Sequence, residues 1–452
     1  MGSSIDSREL SSMQQRPGTC VSHTAEADSV ITARSLRSAS LGTGRKHLRI
    51  VWPIPVLLLY VIGGSIQYAG WLSPTKCNVV VLCIFCFLLR YREFWRTARY
   101  EVPILLLAAY FVVSGLARDT SPLATSVYLY YSACLLLAAP AGRMFARALV
   151  TRNRARIARR VIVSCLALEL PIVALQHQYA AVFATHSAIR VGVIDAVFGT
   201  FPLNSDAVFA GCSIMAVLIY SYTSKNLRNV LLVACLAFAV IFLGHSKAIQ
   251  GTYVLLLLPI LGVYIYRRTA IKKYRRILML LGWLALVVVL ALAARTMYGD
   301  WVQFRSMAAA NYADRSDWIT AARLAPFGQL FKSGLVHLLF GHGALTYYNP
   351  ITKEWLYNAG FSTVYSLSLD FGLIGLLGYL VYQTRVIFMI SPYRTFAFFL
   401  CAVWLAFIAF NDVLPNVAFI FALNFTVSFV MHHFQIKHQG ANGNKLMWSG
   451  LA

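Results

Sequence analysis

Apolar runs separated by short polar or basic segments make up most of the chain after residue 50. The runs are about 17 to 24 residues long and show no strict alternation of apolar and polar positions, which favours helices over strands. A tight turn containing Pro74 separates the first two runs. We predict that twelve of these runs are membrane-spanning helices: 51–71, 73–89, 101–117, 122–141, 161–184, 206–222, 229–245, 249–266, 277–294, 360–382, 395–411 and 413–431.

The composition agrees with this interpretation. The chain is 59% hydrophobic and 12% charged, with a mean hydropathy of +0.65. A soluble protein of 452 residues would have two or three domains with polar surfaces, for which this chain has too few polar residues. In lipid, the backbone satisfies its own hydrogen bonds only as helices or closed barrels. The fold class predicted is therefore all-α: a polytopic membrane helical bundle with one long loop outside the membrane that contains short helices.

The distribution of positive charge predicts the orientation of the bundle. The net charge is +24, and thirty of the forty Lys and Arg residues fall in segments on the same side as the amino terminus. Since Lys and Arg concentrate in cytoplasmic loops, both termini are predicted to be cytoplasmic. The ten outer cations are Lys76, Arg118, Arg190, Lys247, Arg295, Arg305, Arg315, Arg323, Lys332 and Lys353.

The predicted organisation follows from the spans and their sides. Residues 1–48 are polar and rich in Ser and Arg, typical of a disordered cytoplasmic tail and too long for the start of a signal peptide. Spans 1–9 occupy residues 49–294, and the long periplasmic loop occupies residues 295–359. Spans 10–12 occupy residues 360–432, and residues 433–452 form a second cytoplasmic tail. A loop as long as 295–359 is usually functional or structured.

The long loop contains the polar stretch "NYADRSDW", Asn311 to Trp318. A helix is predicted from Asp314 until Pro326, with Asp314 as its first capping residue. Arg315 then lies in the first helical turn, where the helix dipole disfavours a cation. This placement indicates a functional arginine or a solvated charge beside an interfacial helix.

Two further outer elements carry polar side chains. The first, Ile189 to Gly211, contains Arg190 and Asn204; the second, Phe242 to Gly251, contains Lys247 in a very short turn. Such groups either cap helices and reach the lipid interface or bind a ligand.

Two acidic residues fall inside predicted spans. An ionisable residue within a membrane span is a candidate functional residue by default. Asp370 lies about ten residues into span 10 and is expected to face the bundle interior. Glu169, in span 5 beside Pro171, is expected to be structural.

The outer face has several cations, few acids and no metal-ligand cluster. The nine cysteines lie mostly in apolar runs, and the pair in "CIFC" has no further ligands at metal spacing, which predicts packing rather than a metal site or a disulfide framework. Guanidinium groups bind phosphate bidentately and stay charged at any relevant pH. An anionic amphiphile carrying a phosphate is therefore the expected ligand.

The order of the motifs resembles that of a known family. "GTFPLNSDAVFA" (199–210) is followed by "GHSKA" (244–248), and then by a long outer loop with "RSDW", "LFGHG" and a span reading "LDFGLIGLLGYL" (369–380). This set, over about residues 190–382, resembles the O-antigen ligase/polymerase (Wzy and WaaL-like) superfamily of bacterial polysaccharide enzymes, which have about twelve spans and a long periplasmic loop.

The resemblance implies a membrane-embedded, metal-independent glycosyltransferase that needs no cofactor. Its substrate would be a polyprenyl-pyrophosphate-linked oligosaccharide, polymerised into exopolysaccharide or O-antigen at the periplasmic face of the bacterial inner membrane. The expected partners are membrane lipid, a flippase and chain-length or export proteins, with no role for nucleic acid.

The same resemblance assigns candidate residues. Arg315 matches the family's R-x-x-W element, Asn204 the asparagine at the mouth of span 6, and Asp370 the acid ahead of "GLIG". Lys247 stands where the family usually has arginine. We expect the catalytic residues to be Arg315, Asp370 and His342, and the substrate-binding residues to be Arg190, Asn204, Lys247, Arg305 and Arg323.

Two alternatives to a polymerase stay open. The ligases usually have a His-Asn pair before span 10, whereas this chain has Phe361 and Ser362 near those positions; His337 or His342 would have to substitute. A lipid-linked saccharide transporter should have two related halves with interrupted spans, and no such internal repeat is found in the sequence.

Overall fold

In the computed structural model, the described residues lie in one compact unit, Pro53–Ala452. The residues described are 74–88, 98–118, 122–150, 155–179, 206–244, 247–268, 334–343, 346–349, 354–357, 362–410 and 416–441, with 182, 197, 199–200, 332 and 413–414. The predicted tail 1–48, the spans 51–71 and 277–294, and the helix predicted from Asp314 lie outside this set.

Helices account for nearly all of the described residues. They are α1 Pro74–Leu88, α2 Ala98–Arg118, α3 Pro122–Ala133, α4 Ala139–Val150, α5 Ala155–Gln178, α6 Asp206–Thr223, α7 Leu227–Leu243, α8 Lys247–Arg268, α9 Leu335–Phe340, α10 Thr363–Asp370, α11 Gly372–Ile390, α12 Arg394–Phe410 and α13 Val417–Ala441. A π-helical turn, Cys134–Ala138, joins α3 to α4.

Short polar side chains start several of these helices. The Asn226 side chain accepts a hydrogen bond from the backbone N–H of Arg228 at 3.0 Å and caps α7. Ser362 caps α10 through the N–H of Tyr365, and Asn416 caps α13 through the N–H of Phe419. Each cap satisfies a backbone donor that has no partner inside its helix. The bounds of these helices therefore follow from local sequence.

Ten of the twelve predicted spans coincide with described helices, and the prediction of a helical fold is confirmed for this part of the chain. Several helices do not begin and end where the predicted spans do. Span 10 is not continuous, because Phe371 (φ −118°, ψ 1°) separates α10 from α11. The helix of span 4 continues past 141 to Val150, and α13 begins at Val417 and continues past 432 to Ala441.

Part of the long loop 295–359 has structure of its own. It contains the short helix α9, which follows the helix predicted from Asp314 in the chain, and a two-stranded hairpin that was not predicted. Strands β1 Thr346–Asn349 and β2 Glu354–Tyr357 pair antiparallel, with Thr346 opposite Tyr357 and Asn349 opposite Glu354. Among the described residues, this hairpin is where the structure differs from the predicted all-helical fold.

The break at Phe371 is a centre of aromatic packing. The Phe371 side chain is fully buried; its ring stacks on Phe111 at 4.2 Å between centroids and meets Tyr128 edge-on at 4.9 Å. The Tyr110 hydroxyl donates a 2.7 Å hydrogen bond to the Phe371 carbonyl. These contacts fix the junction of α10 and α11 against α2 and α3.

The outward faces of the helices are apolar. On α2 the exposed positions include Val102, Leu106, Val113 and Leu116, and Leu106 is 67% exposed. Because these residues recur at intervals of three, four or seven, they form one stripe along the helix. A water-soluble bundle presents the opposite pattern, with polar residues on its outer face.

The same apolar stripe recurs on α11, at Ile374, Leu377, Val381 and Phe388. Two helical segments among the described residues, Gly372–Ile390 and Val417–Ile436, are long and apolar enough to cross a membrane. The second of these is mostly buried and lies at the centre of the bundle, where α13 packs along α4 and α6.

Candidate functional site

A cluster of basic side chains lies where α2 ends. The Arg118 guanidinium Nη1 lies 3.3 Å from Nδ1 of His337, which projects from α9. The His337 and His342 rings stack in parallel, with centroids 4.3 Å apart and 2° between their planes. We refer to Arg118, His337 and His342 as the Arg–His cluster.

The protonation of His337 determines how this cluster is bonded. Nδ1 of His337 lies 3.3 Å from both Arg118 Nη1 and the Gly341 carbonyl oxygen. A guanidinium only donates hydrogen bonds and a carbonyl only accepts them. The neutral tautomer with its proton on Nε2 therefore accepts from Arg118, whereas the other tautomer donates to Gly341.

The segment 341–343 is docked on the junction of α10 and α11. The backbone N–H of His342 donates to the Leu369 carbonyl at 2.7 Å, and that of Gly343 donates to the Asp370 carbonyl at 3.2 Å. These bonds place His342 next to Asp370 along the backbone. The carboxyl-bearing residue and the Arg–His cluster therefore lie at the same end of the bundle.

Two glycines make this docking possible. Gly341 has φ +78°, and a Cβ there would overlap the Asp370 carbonyl group; Gly372 has φ +68°, and a Cβ there would overlap the Leu339 carbonyl group. Left-handed backbone disfavours other residues, and main-chain atoms cannot move aside as a flexible side chain can. The two segments therefore touch through their main chains.

Asp370 is only 2% exposed, as expected for an acid facing the bundle interior. It is the last residue of α10, so its side chain lies at the end of a helix next to the break at Phe371. A carboxyl group this deeply buried is costly to ionise unless nearby donors or cations stabilise it.

The surroundings of His342 favour the neutral form of its imidazole. Burial, followed by the nearby His337 and Arg118, lowers the pKa of His342 from 6.5 to about 4. A base with so low a pKa is weak at neutral pH. Since an anion next to the ring would raise that pKa, a phosphate ligand and a proton on His342 would favour each other.

A second polar site lies on α5. The Glu169 carboxylate is buried and accepts hydrogen bonds from the hydroxyl and the backbone N–H of Thr200. Two turns along the same helix, the Gln176 side-chain amide donates to the Gly199 carbonyl at 2.8 Å and accepts from its N–H at 2.7 Å. Glu169 and Gln176 thus anchor the segment that precedes α6, which agrees with a structural role for Glu169.

The sequence-predicted site residues are only partly described. The structure brings together His342 and Asp370, both expected to be catalytic. Lys247 begins α8, which places its backbone at the amino end of that helix. The remaining candidates lie outside the described residues: Arg190, Asn204, Arg305, Arg315 and Arg323.

The sequence interpretation missed Arg118 as a site residue. Its position directly after an apolar run placed it among the ten outer cations, but nothing in the sequence distinguished it from the others. His337 was named only as a substitute for the ligase histidine, and its stacking on His342 depends on the fold of the loop. Within the described ranges, no three or more His, Cys, Asp or Glu side chains are grouped so that they could hold a metal ion.

The chain matches no known protein-family model, and it matches none of the curated proteins with which it was compared.

Proposed function

We propose that the protein is a membrane-embedded, metal-independent glycosyltransferase that polymerises polyprenyl-pyrophosphate-linked oligosaccharide units at the periplasmic face of the bacterial inner membrane. The observation that carries this proposal is the Arg–His cluster beside the buried Asp370, at one end of a bundle with apolar outer faces. A cation, two imidazoles and a carboxyl group at a membrane surface suit a phosphate-bearing lipid substrate.

The proposed topology has twelve spans, a long periplasmic loop and two cytoplasmic termini. The apolar stripes on α2 and α11 support embedding in lipid. Contacts between helix ends are compatible with the sides that the charges predict. Arg118 meets His337, both expected outside, whereas the Tyr222 hydroxyl donates to Thr395 Oγ1 at 3.0 Å, near ends expected inside.

The proposed reaction is a displacement at the anomeric carbon of the lipid-linked sugar. The acceptor hydroxyl oxygen forms the new bond to that carbon, and the bond from the carbon to the pyrophosphate oxygen breaks. The electron pair of the broken bond stays on the departing pyrophosphate. Arg118 and Arg315 would stabilise this negative charge without a metal ion, and Asp370 would accept the proton of the acceptor hydroxyl.

His342 has a supporting role in this scheme. Its pKa of about 4 makes it a poor base in the unliganded protein, and the proposal assigns the proton of the acceptor hydroxyl to Asp370. The imidazole instead donates a hydrogen bond to the substrate phosphate, or takes up a proton once that anion is bound.

A ligase is the second candidate, and the stacked histidine pair is the observation that favours it. The two imidazoles precede the β1–β2 hairpin in the chain, whereas the His-Asn pair of the ligases corresponds to positions near Phe361 and Ser362, so the histidines would have to replace that pair from an earlier position in the chain. Such an enzyme would transfer a finished glycan to another acceptor, so its loss would leave long polymer on the lipid carrier.

The test is to delete the gene, complement it with variants and analyse the lipid-linked saccharides. Arg118→Ala should lower the rate of polymer formation by about 100-fold or more, the usual cost in turnover of removing one donor to a developing anion. The matched control is Arg385→Ala, because Arg385 lies near the far end of α11 and donates to Met389. Both variants must be present in membranes at wild-type amounts.

The lipid-linked saccharide that accumulates in the deletion strain distinguishes the polymerase, the ligase and the transporter. Single lipid-linked repeat units in the deletion strain support the polymerase, and long lipid-linked chains support the ligase. A pool held in the cytoplasm indicates a transporter and refutes both enzymes. Full polymer from Arg118→Ala would remove this residue from the site.

A further inference from the structure

A small pocket that opens to solvent lies at the opposite end of α11 from the Arg–His cluster. The helix has 19 residues, which separates its two ends by about 28 Å. The lining residues come from the end of α6, the turn before α7, the residue before α12, and α13. They include Tyr222, Thr223, Lys225, Tyr393, His433 and Phe434.

Aromatic contacts hold the walls of this pocket in place. The Tyr222 ring lies 5.6 Å from that of Tyr393 and 5.0 Å from that of Phe396, between centroids, and the Tyr393 ring meets Phe434 edge-on at 5.1 Å. The Tyr222 hydroxyl also donates to Thr395. Three helices thus share one aromatic framework, so the pocket is a fixed feature of the fold.

The groups that line or adjoin the pocket are positive or neutral. Lys225 lines it and is exposed. Arg159 reaches it from α5, where its Nη1 donates a 2.6 Å hydrogen bond to the Thr223 carbonyl, and Arg394 directly follows Tyr393. No Asp or Glu occurs in the sequence at 207–299, 371–411 or 413–452. The chain segments that form the pocket therefore attract anions and offer nothing to balance a cation.

We propose that this pocket binds the phosphate group of an anionic phospholipid. Phosphate oxygens accept several hydrogen bonds at once, which matches the ammonium of Lys225 and the imidazole of His433. Basic pockets between membrane helices bind lipid headgroups on the cytoplasmic side, where these helix ends are predicted to lie. The assignment of the phosphate to a lipid rests on the proposed embedding of the protein in a membrane. The phosphate-binding pocket itself does not depend on the proposed glycosyl transfer.

The experiment measures lipid binding to the full chain in neutral detergent, by native mass spectrometry, with phosphatidylglycerol and phosphatidylcholine as probes. Wild-type protein should bind phosphatidylglycerol in preference to phosphatidylcholine. Lys225→Gln should weaken phosphatidylglycerol binding about fivefold, the effect of removing one surface charge near an anionic lipid. Lys225→Arg should retain binding, because it keeps the charge.

The matched control is Arg385→Gln, which removes one cation from the same end of the bundle without touching the pocket. Because Lys225 is exposed, we expect that its replacement leaves the packing of the core, and so the folding of the variant, unchanged. Equal losses in Lys225→Gln and Arg385→Gln would overturn the site, since general attraction to the surface charge would then explain the binding. No preference for phosphatidylglycerol would overturn it as well.

Competition distinguishes the two sources of phosphate. If millimolar inorganic phosphate or glycerol 3-phosphate leaves phosphatidylglycerol in place, the acyl chains contribute and the ligand is the lipid. If either one displaces the lipid from wild-type protein and binds more weakly to Lys225→Gln, the pocket is a site for a soluble phosphate, and the lipid assignment fails.

Discussion

The contact between Gly341 and the junction of α10 and α11 leads to a quantitative prediction. Alanine at Gly341 has to adopt φ +78° and place its methyl group inside the Asp370 carbonyl. The backbone conformation costs a non-glycine residue about 1–2 kcal/mol, and the forced contact adds about 1–3 kcal/mol. Gly341→Ala should therefore destabilise the docked loop by about 2–5 kcal/mol.

The chain supplies a matched control for this change. Gly334, at the other end of α9, has φ +89°, and a Cβ there meets nothing within 4 Å. Gly334→Ala should therefore cost only the backbone contribution of about 1–2 kcal/mol. The difference between the two variants isolates the steric contact.

Amide hydrogen exchange of the full chain in detergent measures the docking directly. The N–H groups of His342 and Gly343 donate to Leu369 and Asp370, so they exchange only when the loop undocks. A loss of about 2 kcal/mol accelerates this exchange about 30-fold. If both variants exchange at the same rate at these two amides, the close main-chain contact is refuted.

Three other predictions concern the site and its surroundings. First, because the pKa of His342 is about 4 in the folded protein against 6.5 in the unfolded chain, the unfolded chain takes up a proton between these pH values that the folded protein does not. The free energy of unfolding should fall as the pH falls through that window, and melting temperatures of His342→Gln should depend less on pH. Second, Thr200→Val removes a donor from the buried Glu169 and should cost about 1–3 kcal/mol in chemical unfolding, whereas Thr395→Val, at an exposed bond, should cost less than about 1 kcal/mol. Third, Arg315→Ala and Arg315→Lys should both reduce polymer yield in cells that contain the protein, since charge alone does not supply a bidentate fork; normal yield from the lysine variant would contradict this.

The positions of the helices could be read from the sequence because they depend on local properties. Long apolar runs, and caps such as Ser362 and Asn416, act over a few residues. The break in span 10 could not be read in this way. Gly372 adopts positive φ in contact with the Leu339 main chain, about thirty residues earlier, and no local pattern reveals that partner.

The sequence identified some residues of the candidate site but not the contacts between them. Asp370 was identifiable as a rare acid in an apolar run, since buried charge is costly. Arg118 was indistinguishable from the other outer cations until α9 placed His337 against it. The hairpin of β1 and β2 was missed because a short strand pair in a loop has a weak pattern, although Tyr and Trp favour strands.

The joint between the loop and the bundle is built from main-chain atoms, which affects how it can vary. Replacing side chains of α9, such as the exposed Leu335 and Val336, leaves both hydrogen bonds and both glycine contacts in place. An alanine scan of this helix would therefore pass over the joint without detecting it. The same independence would let the exposed face of the loop change its sequence while His342 and Asp370 keep their places.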